Sequence, residues 1–176
     1  MQSHKNIYSL TNIIIVFTIF MYFVQTNIPN GGLYLGLNVH FFLNEFYYQI
    51  LSTIFTHGGY EHLAMNMIVL WQVGNMIEYH IGKLRFVVLY LIGGILTSAG
   101  TLAYMYYFDD FSNVVGASGA ISVLFGYIAL KIKEQRMGMA IYILLISFVP
   151  ILFGMNIAWY SHLIGFVIGV FTGFLI

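Results

Sequence analysis

Long apolar runs alternate with short polar joints along the chain. Six runs are long enough to cross or nearly cross a bilayer, at roughly 20 residues per crossing: residues 7–25, 61–79, 84–107, 115–132, 139–153 and 158–176. Each predicts a helix, because a segment in hydrocarbon must satisfy its backbone N–H and C=O groups within itself. The fifth run is the shortest, and Pro150 within it predicts a bend. The first run has an apolar core too long for a secretory leader and lacks a small-x-small cleavage site, so it is read as a retained first helix. A long joint over 26–60 separates it from the second.

Composition changes the picture from apolar helices to membrane helices. The chain is 60% hydrophobic and 7% charged, with a mean hydropathy of +0.88, whereas soluble domains are about one quarter charged. This is the signature of an all-α, multi-pass membrane protein. Its 176 residues leave room for one bundle and no separate soluble domain, so residues 1–176 are read as a single membrane domain in contact with the lipid bilayer. The absence of cysteine excludes disulfides, thiolate metal sites and cysteine nucleophiles. A formal net charge of +0 gives no footprint for nucleic acid.

The basic residues set the orientation. Lys5 precedes the first run, Lys83 and Arg85 lie between the second and third, and Lys131, Lys133 and Arg136 lie between the fourth and fifth. All fall on one side of a six-helix chain, and the positive-inside rule places both termini in the cytoplasm. The second, fourth and sixth helices then start at the outer face. His62 and Asn66, Ser118, and His162 all fall within the first two turns of those helices. An ionisable group inside a membrane segment costs about 3 kcal/mol by insertion scales, which makes each a candidate for function.

Small residues make the convergence lateral as well. Gly119, Ser122, Gly126 and Ala129 share one face of the fourth helix, and Gly165, Gly169 and Gly173 recur every four residues in the sixth, one turn after His162. Such faces let backbones approach closely in lipid. A tight fourth–sixth pair would bring Ser118 and His162 within hydrogen-bond reach as nucleophile and general base. No carboxylate lies in the inner part of a helix near either, so a dyad is expected rather than a triad.

The ordered set His57-x4-His62-x3-Asn66, Gly116-Ala117-Ser118-Gly119 and His162-x2-Gly165-x3-Gly169, together with Glu78-x3-Gly82-x2-Arg85-Phe86-x3-Tyr90-x2-Gly93, resembles the rhomboid intramembrane serine proteases. The resemblance covers the second to sixth helices. It implies a six-helix bundle of the minimal bacterial type in the cell membrane, and cleavage of transmembrane protein substrates near the outer face through an acyl-enzyme, without cofactor or metal. By it, Ser118 and His162 are the catalytic pair, and His62 and Asn66 are oxyanion donors with the backbone around Gly116, Ala117 and Ser118. A gate between the second and fifth helices is also implied. His57, Gly119, Gly165 and Gly169 are expected to be structural.

Two positions depart from the pattern. Many members have a Trp-Arg pair in the outer loop where this chain has Tyr48-Gln49, and many have an aromatic four residues after the nucleophile where this chain has Ser122. Each motif also has a plainer reading. Gly116 to Gly119 alone suits a helix-start turn, His162 alone suits a packing histidine, and His62 with Asn66 suits interhelical hydrogen bonding. Glu78 and Arg85 are expected to fix the turn between the second and third helices. Rival functions are a rhomboid-like protein that binds membrane helices without cutting them, and a transporter or metal carrier built on His57, His62 and His162. The second rival lacks the further ligand that a zinc site uses.

Overall fold

In the computed structural model, which describes residues 9–176, every expected run contributes a helix. Lys5, Ile7 and Tyr8, which carried the start of the first run and part of the orientation, lie outside the described residues. The long helices are α1 (Leu10–Thr26), α2 (Tyr60–Ile81), α3 (Lys83–Tyr107, with a π-helical stretch at Val88–Ile92), α4 (Ser118–Lys131), α5 (Arg136–Leu152) and α6 (Trp159–Gly173). Among the described residues there is no strand, only an isolated antiparallel bridge between Leu37 and Val114.

Buried polar side chains fix both ends of α1. Ser9 Oγ accepts from Asn12 N at 3.1 Å, and the buried Glu78 carboxyl, at the far end of α2, accepts from Leu10 N (2.9 Å), Thr11 N (2.8 Å) and Thr11 Oγ1 (2.7 Å). The first amides of a helix have no intrahelical acceptor, and Glu78 supplies one. Its role is therefore to anchor α1, not to fix the α2–α3 turn with Arg85. At the other end, Gln25 Nε2 donates to His57 O (2.7 Å) and its Oε1 accepts from His57 N (2.9 Å). The start of α1 thus meets the end of α2, and its end meets the start of α2, so the two run antiparallel.

The core forms around α4, whose residues from Gly119 to Ala129 are all buried. α6 packs on it most extensively, with α2, α3 and α5 also touching it. Close approach explains the α4–α6 contact. A methyl group added at Gly126 would collide with the Phe166 carbonyl, one at Gly169 with the Val123 carbonyl, and one at Gly165 with the Gly119 carbonyl.

The joint between α1 and α2 is folded rather than loose. It carries short helices at Gly31–Leu35, His40–Leu43 and Gln49–Ser52 and a 3-10 turn at Thr53–Phe55. At the Tyr48-Gln49 departure, Gln49 is fully buried, donates to Tyr34 O (3.1 Å) and Leu33 O (3.3 Å), and accepts from Asn38 N (3.3 Å). Tyr48 stacks on Phe46. Asn38 Nδ2 in turn donates to Asn113 Oδ1 (2.8 Å), which ties the joint to the approach to α4.

Apolar side chains face outward all round. Phe23 is 71% exposed, Phe171 67% and Leu152 82%, an apolar surface that water does not favour and hydrocarbon does. The stretches Lys83–Tyr107 and Lys133–Leu152 are long and apolar enough to cross a membrane, while α1, α4 and α6 are apolar but shorter. The fourth helix begins three residues later than its apolar run because the backbone turns sharply at Gly116. The fifth ends two residues beyond Pro150.

Candidate active site

A stitched turn delivers Ser118 to the first position of α4. Gly116 N donates to Thr53 O at 3.0 Å, Ala117 N to His57 Nε2 at 3.4 Å, and Thr53 Oγ1 to Val114 O at 2.7 Å. Gly116 stands at φ +126°, a region that L side chains rarely enter. A methyl group there would lie 2.8 Å from His62 Cε1, 3.0 Å from His62 Nε2 and 3.5 Å from Ser118 Oγ. Glycine is needed at this position both for the turn and for the His62 ring.

The α4–α6 contact brings the pair together. His162, in the first turn of α6 and 9% exposed, places Nε2 3.0 Å from Ser118 Oγ. Gly119 lies behind the serine, where an added methyl would meet Thr97 Cγ2 at 3.1 Å and Ser161 Oγ at 3.2 Å; Gly165 and Gly169 line the same interface farther along. Ser122, one turn after the serine, is buried, and its Oγ donates to Ser118 O at 2.7 Å. His162 leans instead on α5, with Nδ1 3.4 Å from Ser147 Oγ. Sequence reasoning missed Ser147; its only signal was a lone polar residue near the end of an apolar run.

α2 contributes the third wall. His62 Nδ1 accepts from Gly58 N at 3.4 Å, which leaves the proton on Nε2, the atom that faces the Gly116–Ser118 corner. Asn66 is buried, and Nδ2 donates to His62 O at 2.8 Å, one turn back on its own helix. The rings of His57 and His62 meet edge to face at 5.2 Å. Burial, and after it the neighbouring His62, push the His57 imidazole from 6.5 down to about 3, so it is neutral and its Nε2 accepts from Ala117 N.

The donors differ in one respect from expectation. The amides of Gly116 and Ala117, expected to face an oxyanion, are bonded to Thr53 and His57 because the turn uses them to hold its own shape. The Ser118 amide, in the first turn of α4, has no intrahelical acceptor and stands at the positive end of the helix dipole. Asp110 is engaged away from the pair: its Oδ1 accepts from Ser112 N at 2.9 Å and from the Ser112 hydroxyl. Burial alone would raise the Asp110 carboxyl, but these Ser112 bonds outweigh it and hold it below its ordinary value.

Known proteins resemble this chain over the region that holds the site. The family model of the Rhomboid domain matches residues 44–176. The rhomboid protease GluP of Bacillus subtilis is 35% identical over 92 residues, which cover 51% of this chain and 17% of GluP. YdcA, a second rhomboid-family protein of that bacterium, is 30% identical over 140 residues, covering 75% of this chain and 68% of YdcA. A mitochondrial presenilin-associated rhomboid-like protein of Danio rerio is 30% identical over 93 residues, covering 53% of this chain and 24% of that protein. The match thus spans only about a sixth of the length of GluP and about a quarter of the Danio rerio protein. Since the family match runs through every wall of the site, from His57 to His162, the chain belongs to the rhomboid family of integral membrane proteins.

Proposed function

We propose that this chain is an intramembrane serine endopeptidase that cuts transmembrane protein substrates near the outer face of the membrane. The observation that carries the reading is the 3.0 Å approach of His162 Nε2 to Ser118 Oγ, between the first turns of two tightly packed helices. Ser118 Oγ attacks the scissile carbonyl carbon as its proton passes to His162 Nε2. The oxyanion is met by His62 Nε2–H and the Ser118 amide, with Asn66 beside them. Collapse of the tetrahedral intermediate breaks the C–N bond, and His162 returns the proton to the leaving amine. Water, deprotonated by the same imidazole, then hydrolyses the ester on Ser118.

In this reading residues 1–176 form one domain whose helices α1 to α6 each span a bacterial cell membrane, with both termini in the cytoplasm. The dyad then lies close below the outer surface, where water enters. A substrate helix reaches the site laterally, between α2 and α5. α5 packs on α4 and α6 and has no comparable contact with α2. Hydrolysis requires local unwinding of the substrate, because a helical carbonyl is already hydrogen-bonded.

The test is cleavage in proteoliposomes of a single-span reporter with glycines near its outer end. One cut at that end is expected, mapped by mass spectrometry, with Ser118→Ala slower by about 10⁴-fold or more. A reporter that stays intact while it co-purifies with the parent protein would contradict the protease reading and favour a non-cleaving helix binder.

A further inference from the structure

A catalytic imidazole needs a partner for its second nitrogen, and in this chain that partner comes from α5. We infer that Ser147 is the positioning residue for His162, holding the ring in the tautomer that can accept the Ser118 proton; the inference rests on the reading of Ser118 and His162 as a dyad.

α5 faces outward along most of its length, and Ile143 and Ser147 are its buried residues. Ser147 is fully buried. A hydroxyl at one of these two inward positions of an apolar helix is costly unless it is hydrogen-bonded. Ser147 has two partners. Its proton is donated to Ile143 O, one turn back, at 2.6 Å. The oxygen's remaining lone pairs can then only accept, and the atom beside them is His162 Nδ1 at 3.4 Å.

That order of donation fixes the ring. Nδ1 must be the N–H, and a neutral imidazole carries one proton. Nε2 is therefore left with its lone pair, 3.0 Å from Ser118 Oγ, as a general base requires. Ser122 on α4 does not share the role: its hydroxyl bonds Ser118 O, whereas the hydroxyl beside His162 Nδ1 is that of Ser147. The 3.4 Å separation is long for a resting hydrogen bond, and catalytic bonds of this kind tighten when substrate is bound. A hydroxyl is also uncharged. It orients the ring without the electrostatic stabilisation of an imidazolium that a triad aspartate gives, so its removal should slow the reaction without abolishing it.

The test compares Ser147→Thr, which keeps the hydroxyl, with Ser147→Val, which has nearly the same shape without it. Two readouts are taken on the full chain in micelles: the rate of labelling by a fluorophosphonate, and the ¹⁵N chemical shifts of the His162 ring. Labelling within about twofold of the parent is expected for the threonine variant, and about tenfold slower for the valine variant. The shifts should show the proton on Nδ1 in the parent and threonine proteins and a mixture of tautomers in the valine protein. Equal rates and equal shifts for the two variants would reduce Ser147 to a packing residue and overturn the inference. So would a parent His162 protonated on Nε2. Failure of the parent to label at all would count against the dyad instead, and the ring shifts would still decide the role of Ser147.

Discussion

At Gly116 the backbone conformation and the His62 ring make the same demand, and alanine meets neither. The substitution Gly116→Ala puts a methyl group 2.8 Å from His62 Cε1 at a φ of +126°. Either the ring or the turn must move, and displacement by about 1 Å at a reacting centre can cost about a hundredfold in rate. Fluorophosphonate labelling of Gly116→Ala should fall by about that factor while the protein remains folded; labelling at the parent rate would show that the turn does not position Ser118. Ser118 and His162 were legible in the sequence because each interrupts an apolar run at the same expected depth. Ser147 was not, since a serine that bonds to its own helix is cheap in a membrane and gives no pattern of its own. Glu78 was assigned to Arg85, its neighbour in sequence, whereas its partners lie at Leu10 and Thr11, a long-range pairing that no local spacing reveals.

The α4–α6 pair is the element on which the site depends, because it sets the distance between Ser118 and His162. Its small-residue faces were readable as helical repeats, and the backbones approach there as expected. Gly126→Ala and Gly169→Ala each place a methyl group on a carbonyl of the facing helix. Overpacking of this kind costs about 1–3 kcal/mol, so each should lower the midpoint of thermal unfolding in micelles. Gly138→Ala, on α5 where nothing lies within 4 Å, should not. A drop for Gly138 as large as for the other two would mean that helix propensity and lipid contact, not close approach, govern stability. The helix ends were less legible than the helices. α4 starts at Ser118 and not at residue 115 because Gly116 stands at φ +126°, outside the helical region, in a turn held by tertiary hydrogen bonds to Thr53 and His57.

At the scale of the molecule, α2, α4 and α6 present their N-terminal turns at one end of the bundle, and the segment from Thr53 to His57, which leads into α2, is hydrogen-bonded to the turn that enters α4. The six helical runs, the α4–α6 pairing and the gathering of His62, Ser118 and His162 were readable from hydropathy, small-residue faces and motif order. The joint from 27 to 59 did not. Its shape depends on single buried amides: Gln49 bonds the backbone of Leu33, Tyr34 and Asn38, and Asn38 bonds the side chain of Asn113, far along the chain. Such a network has no period that a sequence pattern could reveal. The same distinction separates the proposed dyad from its support: Ser118 and His162 stand in motifs, whereas the contact of His162 with Ser147 on α5 follows from no motif.

The most direct test of the account is labelling by a fluorophosphonate in micelles, followed by mass spectrometry to locate the adduct, on the parent protein, Ser118→Ala and His162→Ala. The predicted result is a single adduct on Ser118 of the parent and none on either variant, since without the imidazole the hydroxyl is an ordinary alcohol. A parent protein that is folded and admits the probe but carries no adduct, or a His162→Ala protein labelled on Ser118 at the parent rate, would contradict it.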